Sequence, residues 1–136
     1  MKTYAQVKTF LRNVLDTTGH ERYSIYPGPE LPDIPGEFIV ATVYGGPGLA
    51  LDGIEDDVGW QFRTVGNQND YEGAESAANA IDIACISHRS DELIAGVHVS
   101  EIRRVGGAPT ALTTDQAERT HFVCSYVASV ELALPN

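Results

Sequence analysis

The chain has 136 residues, the size of one domain, and its 43% hydrophobic and 21% charged content is that of a globular protein rather than a disordered one. Nineteen acidic against nine basic residues leave a net charge of −10, which argues against sequence-independent binding to a nucleic-acid backbone, because that needs clustered cations. Two cysteines exclude a disulfide framework, no apolar run is long enough for a membrane span, and no signal-peptide pattern opens the chain, so a reduced compartment and no membrane partner are expected.

The first element is a helix from about Thr3 to Asp16. Tyr4, Val7, Leu11 and Val14 recur at helical spacing, Phe10 and Leu15 widen the stripe, Thr3 with Gln6 matches a capping box, and Gly19 is a stop signal. Tyr26 to Gly36 holds four prolines and predicts an extended, stiff connector without helix or sheet ladder. Phe38 to Tyr44 is a run of β-formers, nearly all apolar, as in a strand covered on both faces. Gly45-Gly46-Pro47-Gly48 breaks that run and opens an acidic loop with Asp52, Glu55, Asp56 and Asp57. Val58 to Val65 alternates with Trp60 and Phe62 on one face.

A turn at Gly66 to Asp70 leads to a second helix, about Tyr71 to His88. Asn69 or Asp70 can cap it, and Ala74, Ala77, Ala78, Ile81, Ala84 and Cys85 form a small-residue face suited to lying close on a sheet. Gly96 to Val105 reads as a strand with imperfect alternation, Gly106 to Glu118 as a polar loop, and Phe122 to Leu132 as the clearest strand of all. The order helix, strand, strand, helix, strand, strand predicts an α+β fold. Its sheet is roughly four-stranded and mostly antiparallel, with two helices packed on one face. The chain is expected to form a single domain over 1–136, with long loops at about 44–58 and 106–120.

Signatures of catalysis or of cofactor binding fail on context. The glycine-rich Gly45 to Gly48 lacks the Lys-Ser/Thr ending of a phosphate loop. Cys85, His88, His121 and Cys124 offer four candidate zinc ligands, but His121 and Cys124 lie three apart on a strand and point to opposite faces. Ser87, His88, Ser90 and Asp91 are neighbours at a helix end, without a nucleophile elbow. Asp52, Glu55, Asp56 and Asp57 do not have the spacing of an EF-hand loop and read as a solvated tip. No catalytic residue, cofactor or metal is therefore expected. Trp60, the only tryptophan, is a core anchor first and an interface anchor second.

The stretch Gly59 to Ile81 runs from a Gln-Phe-Arg-x-x-Gly strand end, through an Asn-Asp-Tyr turn, into an Ala-rich helix with Ala77-Ala78-Asn79-Ala80-Ile81. Together with the amphipathic first helix, the proline-rich connector, the Gly/Pro break and the long final strand, it resembles the tail terminator and minor capsid (head–tail completion) proteins of long-tailed bacteriophages. The resemblance implies a non-enzymatic subunit that caps the tail tube as a homo-oligomeric, six-fold ring. That ring joins the tube to the head connector or stopper protein and lets DNA pass without specific binding. It also implies a place in the virion tail or neck after assembly in the bacterial host cytoplasm. The expected interface residues are Asp52, Glu55, Asp56, Asp57 and Trp60 within the two long loops and their flanks. The acidic surplus would suit a bore that does not hold the passing strand. The alternatives are another head–tail completion protein, or a small α+β binding module or enzyme unrelated to phage assembly.

Overall fold

The first helix, α1 (Tyr4–Thr17), starts and stops on local chemistry. Thr3 Oγ accepts from the Gln6 N–H while the Gln6 side chain accepts from the Thr3 N–H, a reciprocal capping box. At its other end Gly19 takes φ +81° and the His20 N–H returns to the Leu15 carbonyl, which ends the helix with a left-handed cap. The computed structural model describes residues 3–49 and 55–131. After α1 come β1 (Ser24–Pro27), β2 (Phe38–Leu49), β3 (Glu55–Val65), α2 (Tyr71–Ile86), β4 (Leu93–Ile94), β5 (Val97–Thr114) and β6 (Thr120–Glu131).

The sheet has six strands in the order β1-β2-β3-β6-β5-β4. β1 and β2 are parallel and every other neighbouring pair is antiparallel, and the sheet curls into a half-barrel. This corrects the expected four-stranded, mostly antiparallel sheet. The two additional strands are edge strands whose sequences carry little signal of their own. β1 ends at the first proline of the connector, and it pairs because β2 offers an edge: Ser24 to Pro27 run alongside Phe38 to Ala41, and the Gly28 N–H extends the ladder to the Ala41 carbonyl. Proline is tolerated there because an edge strand needs donors on one side only. β4 is two residues long and is held by β5 through Leu93 and Ile94.

The expected loops at 44–58 and 106–120 are corrected as well, since strand occupies most of both. β2 continues through the glycine-proline break to Leu49, with a register shift between Gly45 and Gly48 that absorbs the irregular residues as a bulge. β3 begins at Glu55, opposite Glu131 of β6, so Asp56 and Asp57 stand in a ladder rather than in a loop. β5 runs to Thr114, and its register slips between Val105 and Thr110, where Gly106 takes φ +92°. Glycine and proline mark these bulges, and the partner strand carries the ladder across them.

Strand alternation divides the sheet into two faces. One face buries Ile39, Ala41, Trp60, Phe62, Tyr126 and Ala128 against Val7, Leu11 and Leu15 of α1 and Ala77, Ile81 and Cys85 of α2. α1 lies over β1 and β2, and α2 over β3, β6 and β5. The alanines of α2 permit that close seat, and Asp70 caps its first turn by accepting from the Gly73 N–H at 2.9 Å. Arg12 fastens α1 to the chain entering β1, donating to the carbonyls of Tyr23 at 2.8 Å and Glu21 at 3.1 Å. On the opposite face the connector folds back, so that Tyr26 and Ile34 cover Phe38, Val40 and Val65. The remainder of that face, including Tyr44, Gln61, Arg103 and Val105, is free of helix.

Candidate functional site

The acidic residues expected at an interface take different positions. Asp52 lies outside the described residues, and Glu55 begins β3 opposite Glu131. Asp56 is half-buried opposite Leu49 and Val130. Asp57 sits on the helix-free face, where it accepts from Ser129 Oγ at 2.7 Å and faces Arg103 Nη2 at 3.8 Å. Trp60 is on the other face and fully buried, with its ring centroid 5.9 Å from those of both Phe10 and Phe62. It offers no surface to a partner and instead joins α1 to the sheet.

Two polar networks had no signature in the sequence, because each is completed by residues far apart along the chain. In the first, Asp82 on the buried face of α2 accepts from Tyr126 Oη at 2.7 Å and is ion-paired with Arg104, whose Nε lies 3.0 Å away. Asp82 is 6% exposed, and a carboxylate is stable at that depth only when paired and hydrogen-bonded. Burial pushes the Tyr126 phenol well above its ordinary range, and the carboxylate that accepts its proton adds to the shift, so the hydroxyl stays a donor. Cys85 and Cys124 lie nearby. Burial raises both thiols, and the charge of Asp82 adds to the rise, so they remain protonated and unreactive.

The second network organises the β5–β6 turn. Arg63 Nε donates to His121 Nδ1 at 2.9 Å, and His121 Nε2 lies 2.9 Å from Asp115 Oδ2. An arginine cannot accept a hydrogen bond, so Nδ1 is the acceptor and Nε2 carries the proton donated to Asp115. The position that a nucleophile would occupy beside a His–Asp pair is thus filled by a guanidinium. Arg119 donates from Nε to Asp115 Oδ2 at 3.1 Å and from Nη1 to the Ile34 carbonyl at 2.8 Å, and it stacks over Phe38 at 5.6 Å. Turn, connector and sheet are tied together at this point.

Partial burial acts to raise the Asp115 carboxyl. Hydrogen bonds from His121 and from the Arg119 and Ala117 N–H groups, with the charge of Arg119, outweigh that and lower it to about 2. A carboxyl depressed in the folded state stabilises above its unfolded value of about 4, and the contribution disappears as pH falls from there through about 2. Acid titration of the wild-type chain is therefore expected to show a loss of roughly 1 kcal/mol from this group across that window, allowing for solvent screening. Asp115→Asn is expected to be less stable at neutral pH and to show a flatter dependence between pH 4 and pH 2, as read by chemical denaturation at each pH. An unchanged slope would show that the turn is held by other contacts.

The four candidate zinc ligands do not converge. His88 Nε2 is engaged with the Val99 carbonyl, both nitrogens of His121 are engaged in the network above, and the thiols are in the core. Among the described residues no group of three His, Cys, Asp or Glu side chains is placed to hold a metal ion. A groove of about 590 Å³ runs between α1 and α2 toward β4, lined in part by Phe10, Val14, Ala80, Ile83 and Leu93. The titratable side chains on it are His88, already bonded, and Glu92. No described helix is long and apolar enough to cross a membrane.

No family model matches the chain, and no curated protein matches it. Among solved structures, a chain of the "Virion of native gene transfer agent (GTA) particle" has a similar fold, with a TM-score of 0.56 and 15% sequence identity. The match covers 94% of this chain and 90% of that one. At that identity the likeness is one of fold, and it extends over nearly the full length of both chains.

Proposed function

We propose that this chain is a structural component of a phage-like virion, acting as a tail terminator that assembles into a homo-oligomeric, six-membered ring. The observation that carries this reading is the fold shared end to end with a chain of a gene transfer agent virion. Two features of the molecule support it. The buried polar groups described above are used to tie elements together, not to activate a nucleophile, and the sheet has a wide helix-free face and long hairpins of the kind that subunit contacts use. The chain acts by assembly rather than by turnover. Its partners are copies of itself, the tail tube protein, and the head connector or stopper protein. Its place is the tail or neck of the virion, after assembly in the host cytoplasm. Asp56 and Asp57, with Asp52 and Glu55, belong to its interface or bore. DNA would pass them without being held, because no counterion release rewards contact with an acidic wall.

The test is to add the purified chain to growing tubes of the tube protein from the same particle. Tube growth is expected to stop, and rings are expected at tube ends in electron micrographs. Tubes that grow to unchanged length while the chain binds the isolated head connector would favour the alternative, another head–tail completion protein. Binding to neither would leave the virion reading without support.

A further inference from the structure

We propose that copies of this chain join by strand addition, the free edge of β2 in one copy pairing antiparallel with the free edge of β5 in the next. The pairing deepens the ring reading by naming the surfaces that meet. Each sheet has two incompletely covered edges. On one side β1 covers β2 only as far as Ala41, and on the other β4 covers β5 only at Val97 and His98. Among the described residues no strand pairs with the outer edge of β2 from Val43 to Gly45, beyond the point where Gly28 packs against Thr42, or of β5 from Val99 onward. Unpaired edges of this kind are templates for another chain.

Three observations make a second copy the fitting partner. The first is direction. β2, β3, β6 and β5 alternate in sense, so β2 and β5 run oppositely within one copy. A copy rotated about an axis along the strands therefore brings its β2 to β5 as one more antiparallel neighbour. Such a contact is heterologous, the type whose rotation can close a ring. The second is level. Thr42 aligns through Gln61 and Ser125 with Val105, and Tyr44 aligns through Gly59 and Val127 with Arg103. Rotation without axial shift places Tyr44 beside Arg103 of the next copy, just beyond Thr42, where Gly28 of the same copy packs. All four belong to the helix-free face, and Tyr44, Arg103 and Val105 are 43%, 44% and 54% exposed. Arginine against an aromatic ring is a favourable neighbour. The third is charge. In a chain of net charge −10, β2 holds no charged residue and β5 holds Arg103 and Arg104 against Glu101. These edges are where the acidic surplus is absent, so two copies meet there without like-charge repulsion.

Cysteine cross-linking of the full chain tests this. Within one copy Tyr44 and Arg103 are three strand spacings apart, roughly 14 Å, too far for a disulfide, whereas opposed residues of paired strands are within reach. Under mild oxidation Tyr44→Cys/Arg103→Cys is expected to give a ladder of covalent oligomers on non-reducing gels. A mixture of the two single variants is expected to stop at dimer. Far-ultraviolet circular dichroism of the reduced double variant reports its folding, and the mixture, in which each chain carries one exchange, covers a folding failure of the double variant. Oligomers by light scattering without a ladder from a folded double variant, or without a dimer from the mixture where the double variant does not fold, would overturn the edge pairing and leave the ring reading standing. A covalent dimer from Arg103→Cys alone would overturn it in favour of a two-fold contact. A monomer at high concentration and in the presence of tail tubes would overturn both.

Discussion

Replacing Tyr126 by aspartate is expected to abolish cooperative folding at neutral pH. Tyr126 is fully buried, its ring packs on Phe62 at a centroid distance of 5.6 Å, and its hydroxyl donates to Asp82. Removing a buried aromatic side chain costs about 3–5 kcal/mol. The new carboxylate would also face Asp82 in a site where Arg104 is the cation in contact, and an uncompensated buried charge costs a few kcal/mol more. A domain of this size has about 5–15 kcal/mol in total, so chemical denaturation should show little or no native baseline. Tyr126→Phe separates packing from polarity. It keeps the ring and leaves Asp82 paired with Arg104, and it is expected to cost about 1.5–3 kcal/mol for the lost hydrogen bond to a charged group. Near-wild-type stability of Tyr126→Asp would mean that this face of β6 is not the core face.

Trp60→Ala is expected to cost about 3–5 kcal/mol, with the largest secondary effect on the docking of α1. Trp60 is fully buried and lies between Phe10 of the helix and Phe62 of its own strand, so its removal opens a cavity where helix layer and sheet meet. Trp60→Phe is expected to cost less. The indole Nε1 has no hydrogen-bond partner among the described residues, and phenylalanine removes that unsatisfied donor while keeping most of the apolar contact. Near-ultraviolet circular dichroism and denaturation midpoints of the two variants check the order. Equal losses would show that the apolar volume phenylalanine keeps contributes nothing and that a contact specific to the indole sets the stability. Neither Trp60 nor Tyr126 reaches the surface, so these variants probe the subunit, whereas the cross-links at Tyr44 and Arg103 probe how subunits meet.

The helices were legible because their signals are local. The Thr3–Gln6 capping box, Gly19 at the end of α1, the cap at Asp70 and the alanine face of α2 all act within a turn or two of the residues that encode them. The alternation of Phe122 to Val130 was equally plain, and it places Phe122, Cys124, Tyr126, Ala128 and Val130 in the core. The site was less accessible. Asp82 reads as one acid on a helix, Arg104 as one cation on an irregular strand and His121 as a polar residue between strand neighbours. Their partners are 44, 22 and 58 residues away, and single-sequence patterns carry no such separations.

What the residues determined unaided was the order of the main elements, the inward faces of the helices and of the central strands, and a net charge of −10. What only the tertiary structure decided was how far the sheet extends. Gly46, Pro47, Gly106 and Pro109 break a strand when read alone, yet β2 and β5 pass through them, and β1 forms up to the first of four prolines. The physical reason is that an edge or bulged strand is stabilised by the hydrogen bonds and cross-strand contacts its neighbour offers, and that neighbour is chosen by the fold rather than by the local sequence.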